Sequence, residues 1–180
     1  MRYPKTAVLS RLPEEMGVEE ALLIEPYGCS KHAVDRGQVT NEDILVISGA
    51  GTLGLGMVTY ARRKNPKKLI VLDMKEERLQ KAMEFGADMV WNPGTCNVVK
   101  NIMELTDGYG CDVYIEATGH PYSVIQGLNM VRKLGRFVEF SVFGAPTTVD
   151  WSVIGDRKEL DILGSHLSPY CYPFVIENII

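Results

Sequence analysis

Ile44-Leu45-Val46-Ile47-Ser48-Gly49-Ala50-Gly51-Thr52-Leu53-Gly54 is the stretch on which the fold turns. Four consecutive apolar residues, mostly branched at Cβ and without polar alternation, are the pattern of a short strand buried on both faces of a parallel sheet. Three glycines spaced G-x-G-x-x-G follow at once, and beyond them Leu53, Met57, Val58, Tyr60 and Ala61 fall on one helical face. Strand, glycine turn and helix in direct succession give the motif a weight that the glycines alone would lack. In that setting Gly49 permits the tight turn, Gly51 lets backbone approach a pyrophosphate, and Gly54 lets helix pack close to strand. The helix start at Thr52 and Leu53 then offers free N–H groups and the positive end of a dipole to phosphate. A glycine-rich turn that binds nothing is the plain alternative.

Downstream, Leu69 to Leu72 supplies a second buried strand that ends at Asp73, 19 positions after Gly54. A carboxylate at that spacing accepts hydrogen bonds from the adenosine ribose hydroxyls of NAD and repels the 2′-phosphate of NADP. Asp73 could equally cap the next helix, and one carboxylate could do both. The pattern then repeats. A helix over 76–85 closed by Gly86, a strand over 89–91 and a helix over 97–105 come first. A strand over 113–117, a helix over 122–132 and strands over 137–140 and 161–163 complete the series. Upstream, the apolar positions between Val18 and Gly37 predict two short helices around a bend at Pro26. Six strands with right-handed crossovers define an α/β, doubly wound parallel sheet, a Rossmann fold of strand order 3-2-1-4-5-6. The organisation expected is a junction segment over 1–37, a nucleotide-binding domain over 38–168, and the start of a return segment over 169–180.

The chain's 180 residues are 46% hydrophobic and 23% charged, the make-up of an ordinary globular domain. A net charge of −4 and the lack of a basic stripe argue against nucleic acid as a partner. No apolar run is long enough to span a bilayer and the N-terminus does not read as a signal peptide, so a cytoplasmic protein without membrane contact is expected. Cys29, Cys96, Cys111 and Cys171 are scattered, as are His32, His120 and His166, and no metal-spaced pair exists among them.

Together these segments resemble the cofactor domain of the medium-chain, zinc-dependent alcohol and polyol dehydrogenases. The resemblance runs through Glu20 to Pro26, His32-Ala33-Val34, Val46 to Leu55, Asp73 with Arg78-Leu79, and Phe85-Gly86-Ala87-Asp88. It continues at Asp112-Val113, Glu116-Ala117-Thr118-Gly119, Gly135-Arg136 and Gly164-Ser165. It implies that Asp73 and Arg78 flank the adenosine ribose, that Thr118 and Gly119 border the cofactor, and that Val142-Phe143 sits against the nicotinamide. Arg78 as a surface arginine and Phe143 as a core or interface aromatic are the plainer readings. Glu25-Pro26 is similar to the Glu-Pro of the sorbitol and threonine dehydrogenase branches, where that glutamate approaches the catalytic zinc; a helix cap or a pair with Lys31 is its rival.

The family's preceding catalytic domain, which carries the zinc ligands, has no counterpart in these residues. The resemblance therefore implies an NAD(H)-binding fragment of a parent enzyme that uses zinc to oxidise a secondary alcohol or polyol, the fragment itself being inactive. A homo-oligomer through the last strand is also implied. Two other readings stay open: a stand-alone nucleotide-sensing or scaffolding module, and a zinc-free quinone reductase-like oxidoreductase, against which Asp73 argues.

Overall fold

The apolar run after Asp43 forms strand β1, Ile44–Ser48, in a computed structural model that describes residues 7–179. Its neighbours are β2, Lys68–Leu72, on one side and β4, Cys111–Glu116, on the other; all three run parallel and are buried along most of their length. Strands β3 (Met89–Trp91), β5 (Val131–Glu139) and β6 (Asp161–Gly164) extend the sheet outward in the order β3-β2-β1-β4-β5-β6. Every pairing is parallel, so each connection crosses over the sheet, and the strand order reverses between β1 and β4.

Two apolar layers separate the sheet from its helices. Helices α1 (Val18–Arg36), α2 (Thr52–Lys64) and α3 (Glu76–Glu84) cover one face, where Ala33, Met57, Val58, Ala61 and Ala82 meet Leu45, Ile47, Val71, Val113 and Val138. On the other face α4 (Val98–Leu105) and α5 (Pro121–Met130) bury Val98, Ile102, Leu128 and Met130 against Val46, Ile70, Tyr114 and Phe137. This division follows from alternation: successive strand residues point to opposite faces. It also aligns the C-terminal ends, so that Leu72, Ser48, Glu116, Glu139 and Gly164 form one row across the sheet.

Several local expectations change. Val18 to Arg36 is one helix, not two around Pro26. Proline removes the hydrogen bond to the Leu22 carbonyl, but Leu22 is exposed and its carbonyl can be hydrated, so the helix continues. Helix α5 stops at Met130, two residues early, and β5 begins at Val131 rather than Phe137. There Arg132 turns to an ion pair with Asp112 at 2.6 Å, and Leu134 adopts a left-handed φ of 55° within a bulge. A short helix α6, Tyr172–Asn178, was not anticipated; it packs on α1 through Val175 and Ile176 against Ile24.

Candidate functional site

The glycine turn is held from both ends. Gly49 leaves β1 with φ +107°, and its N–H donates to the Leu72 carbonyl at 2.7 Å. A Cβ at Gly49 would lie 2.6 Å from the Ala117 carbonyl oxygen, and one at Gly54 would lie 1.9 Å from the Gly49 carbonyl oxygen. Both positions are glycine because backbone passes where a side chain would stand. Gly51 differs. Its added Cβ would meet nothing nearer than Arg78 Nη1 at 4.0 Å, so the protein leaves the space above it free. Gly51 is also the N-cap of α2 and no side chain caps that helix, which leaves the N–H groups of its first turn facing this space.

Asp73 closes the far side of the same turn. It is buried; its Oδ2 accepts from Ala50 N at 2.8 Å, its Oδ1 from Lys75 N at 2.9 Å, and Arg78 Nη1 lies 3.6 Å from Oδ2. A carboxylate offers about four lone-pair sites, so these backbone contacts orient it and leave acceptor capacity toward the cleft. Asp73 does not cap α3, whose N-cap Lys75 receives no side-chain bond; its carboxylate instead ties the glycine turn to the backbone at the end of β2.

A cleft of about 540 Å³ joins these parts, lined by Gly49, Gly51, Asp73, Arg78, Pro93 and Thr118 among others. Its size falls within the range of about 300–1,000 Å³ typical of ligand pockets. It opens at the C-terminal ends of β1 and β4, where the strand order reverses. Thr52, Leu53 and Gly54 form the first turn of α2 beside it. Thr118 and Gly119 form the turn after β4. Glu116, fully buried, accepts there from Thr118 N at 2.9 Å, Thr118 Oγ1 at 2.5 Å and Gly119 N at 3.2 Å. Gly119 has φ +70°, and a Cβ on it would lie 2.6 Å from the Val142 carbonyl oxygen. Val142 itself is 96% exposed and Phe143 half-buried, and neither lines the cleft.

The cleft also contains residues that sequence reasoning did not single out. Ser48 and Ser123 share a hydrogen bond at 2.9 Å, and Tyr114 Oη lies 2.8 Å from Ser123 Oγ, a buried hydroxyl chain under the cleft floor. Burial, little offset by these hydrogen bonds, pushes the Tyr114 phenol well above its usual range and keeps it neutral. His120 caps α5 by accepting from Tyr122 N at 3.2 Å through Nδ1, which brings both residues to the wall. The signal available was His120-Pro121, a cap followed by proline at the first helical position.

Glu25 stands elsewhere. It is exposed on α1, in a separate cavity of about 460 Å³ with Ser10, His166 and Tyr172. The Cys29 thiol donates to its Oε1 at 3.1 Å. The rival pair with Lys31 is not formed, because Lys31 binds Asp35 at 2.5 Å. Among the described residues no group of three His, Cys, Asp or Glu side chains could hold a metal ion, so they do not by themselves fit zinc. None of the described helices is long and apolar enough to cross a membrane.

Comparison with known proteins agrees with this architecture. The family model described as zinc-binding dehydrogenase matches residues 52–179. An erythritol/L-threitol dehydrogenase of Mycolicibacterium smegmatis is 49% identical over 179 residues, covering 99% of this chain and 49% of that protein. An L-threonine 3-dehydrogenase of Pyrococcus horikoshii is 35% identical over 152 residues, 84% of this chain and 43% of that protein. Among solved structures, an alcohol dehydrogenase from E. coli CFT073 complexed with NADH superposes with a TM-score of 0.86 at 30% identity, over 94% of this chain and 50% of its own. The chain spans about half the length of the curated relatives it matches. Glycine turn, strand order and relatives lead to one assignment: the chain belongs to the zinc-binding dehydrogenase family.

Proposed function

We propose that this chain supplies the NAD(H)-binding domain of a dehydrogenase that oxidises a secondary alcohol or polyol. The observation that carries the reading is the free space above Gly51, set between the uncapped start of α2 and the buried carboxylate of Asp73. The pyrophosphate would lie over Gly51, Thr52, Leu53 and Gly54, and the adenosine ribose against Asp73 with Arg78 at its flank. Thr118, Gly119 and the Val142-Phe143 segment would border the remainder of the cofactor. NAD, when bound, supplies the hydride acceptor. The chain's own part is to orient it, exclude the 2′-phosphate through Asp73, and wall it in at the ends of β1 and β4.

The erythritol/L-threitol and L-threonine dehydrogenases among the relatives, together with the Glu25-Pro26 pair, support a polyol or related secondary alcohol as the parent substrate. Glu25 is the one zinc-facing candidate in this reading, and the remaining ligands would come from residues outside this chain. Residues 38–168 form the nucleotide domain, 1–37 the junction and 169–180 the start of the return segment. The chain alone binds cofactor without oxidising alcohol. Strand β6 has no partner on its outer edge among the described residues, and two copies would pair there, which light scattering in solution tests.

The main test is titration of NADH and NADPH separately, followed by cofactor fluorescence and by melting temperature, with Asp73→Ala in parallel. Tight NADH binding, weaker NADPH binding and loss of the preference in the variant are expected. Equal response to both cofactors in wild type, or none, would overturn the reading.

A further inference from the structure

The row of residues at the C-terminal edge of the sheet places two glutamates side by side. Glu116 on β4 and Glu139 on β5 are register partners, so both side chains leave the same face of adjacent parallel strands. Glu116 is fully buried, and both its oxygens accept from N–H or O–H donors of the Thr118-Gly119 turn. Three donors converge on its two oxygens, two of them backbone N–H groups that cannot accept, which are surroundings that favour a carboxylate. Glu139 is placed differently. Its Oε1 is buried and has no hydrogen-bond partner. A second carboxylate there would leave a buried, charged oxygen unsatisfied next to a like charge.

The other neighbours do not relieve it. In register, Ser48 on β1 and Gly164 on β6 are uncharged. Helix α5, over the same face, carries no ionisable side chain besides the exposed Tyr122. Arg36 of α1 reaches β6 but donates to the Gly164 carbonyl at 2.9 Å. Burial, and then the charge of Glu116, raises the Glu139 carboxyl above the ordinary glutamate range.

We propose that Glu116 and Glu139 form a positioning pair that carries one negative charge, with ionised Glu116 gripping the Thr118-Gly119 turn and neutral Glu139 sparing it a second charge. The turn is the one that borders the cofactor in the reading above, and the link to cofactor affinity rests on that reading. The coupling has a physical route: the Ser141 hydroxyl donates to the Glu116 carbonyl at 3.2 Å, and Gly119 packs on the Val142 carbonyl. Ionising Glu139 therefore disturbs both turns at once. Because neutral Glu139 favours the folded turn, the contribution is present at low pH and is lost as pH rises through the raised titration.

The test uses the full chain, wild type and E139Q, first without cofactor. Carbon-13 NMR of the glutamate carboxyls and amide exchange at Thr118 and Gly119 are followed from about pH 5 to about pH 9. One wild-type carboxyl should titrate above the ordinary glutamate range and be absent in E139Q. As it ionises, exchange at Thr118 and Gly119 should accelerate beyond the intrinsic rise with hydroxide, whereas E139Q should follow the intrinsic rise alone. NADH affinity should fall with the same midpoint, about tenfold for each unit by which cofactor shifts that titration, and should be flat in E139Q. Absence of a raised carboxyl titration, or identical exchange profiles in the two proteins, overturns the proposal. If E139Q does not fold, the wild-type titration and its coincidence with the exchange midpoint decide alone. If NADH binds at no pH while titration and exchange behave as described, the pair stands and the cofactor reading falls.

Discussion

A methyl group added at Gly51 separates the binding role of the glycine turn from its folding role. Gly51 has φ −72° and ψ −171°, extended values that alanine adopts freely, and its new Cβ would lie 4.0 Å from the nearest protein atom, Arg78 Nη1. Gly51→Ala therefore creates no clash. Two effects on stability remain, a poorer N-cap and a less flexible unfolded chain; they oppose one another and each is about 1 kcal/mol or less. The melting temperature should stay within about 4 °C of wild type. Binding should respond otherwise, because the methyl stands where a pyrophosphate oxygen must approach. Loss of two charge-assisted bonds from backbone N–H, at about 1.5 kcal/mol each or more, gives about a hundredfold weaker NADH binding. Fluorescence titration of NADH measures the affinity and calorimetry the stability. A variant that melts like wild type and binds NADH like wild type would show that no phosphate approaches Gly51, and the assignment of the cleft would fail.

Gly54→Ala should behave in the opposite sense: its Cβ would lie 1.9 Å from the Gly49 carbonyl oxygen, so overpacking of about 1–3 kcal/mol should show in urea unfolding whether or not cofactor is present. Arg136 holds Asp43 at 2.6 Å and donates to the Gly37 and Gln38 carbonyls. Arg136→Met leaves buried Asp43 with only its Thr40 donors, and a loss of about 3 kcal/mol should lower the melting temperature by about 6–12 °C. Burial pushes the Cys111 thiol up to about 12, and burial together with the Glu25 hydrogen bond pushes Cys29 up to about 12, while Cys171 is also buried and raised. Alkylation of the native chain, read by mass spectrometry, should therefore modify Cys96 first; prior labelling of Cys111 would contradict the packing. Burial alone would raise the Asp35 carboxyl, but Lys31, Tyr60 and Lys64 together draw it below its usual value. Its contribution, about 1 kcal/mol after solvent screening, should be present above the ordinary carboxylate range, fade as pH falls through the lowered value, and vanish from the pH–stability profile in Asp35→Asn.

Much of this molecule is legible from local pattern. Ile44 to Ala61 contains an apolar run, a spaced set of glycines and a helical face within eighteen residues, and each feature has one main structural solution. Asp73 was legible through its distance from Gly54, because the length of one crossover sets where the second strand ends. The bulge in β5 was not. It depends on Leu134 taking a left-handed conformation and on Arg132 reaching Asp112, a contact across twenty residues that periodicity does not encode. The unbroken α1 was hidden for a related reason: Pro26 reads as a helix end unless one knows that Leu22, whose carbonyl it abandons, is exposed.

The Glu116–Glu139 pair marks where pattern reading ends. Glu116 sits in a recognisable stretch, Glu116-Ala117-Thr118-Gly119, but Glu139 follows the apolar run Phe137-Val138 like any strand-end polar residue. What makes it unusual is register. The bulge between Val131 and Arg136 sets Glu139 opposite Glu116; a shift of one residue would put Val138 there and turn Glu139 to the other face of the sheet. The feature invisible to sequence reading thus creates the second: the irregular backbone of β5 decides which side chain stands beside the cleft's buried carboxylate. Straightening the bulge would accordingly alter the Thr118-Gly119 turn, and with it the cleft wall at Thr118, without any substitution among the residues that line the cleft.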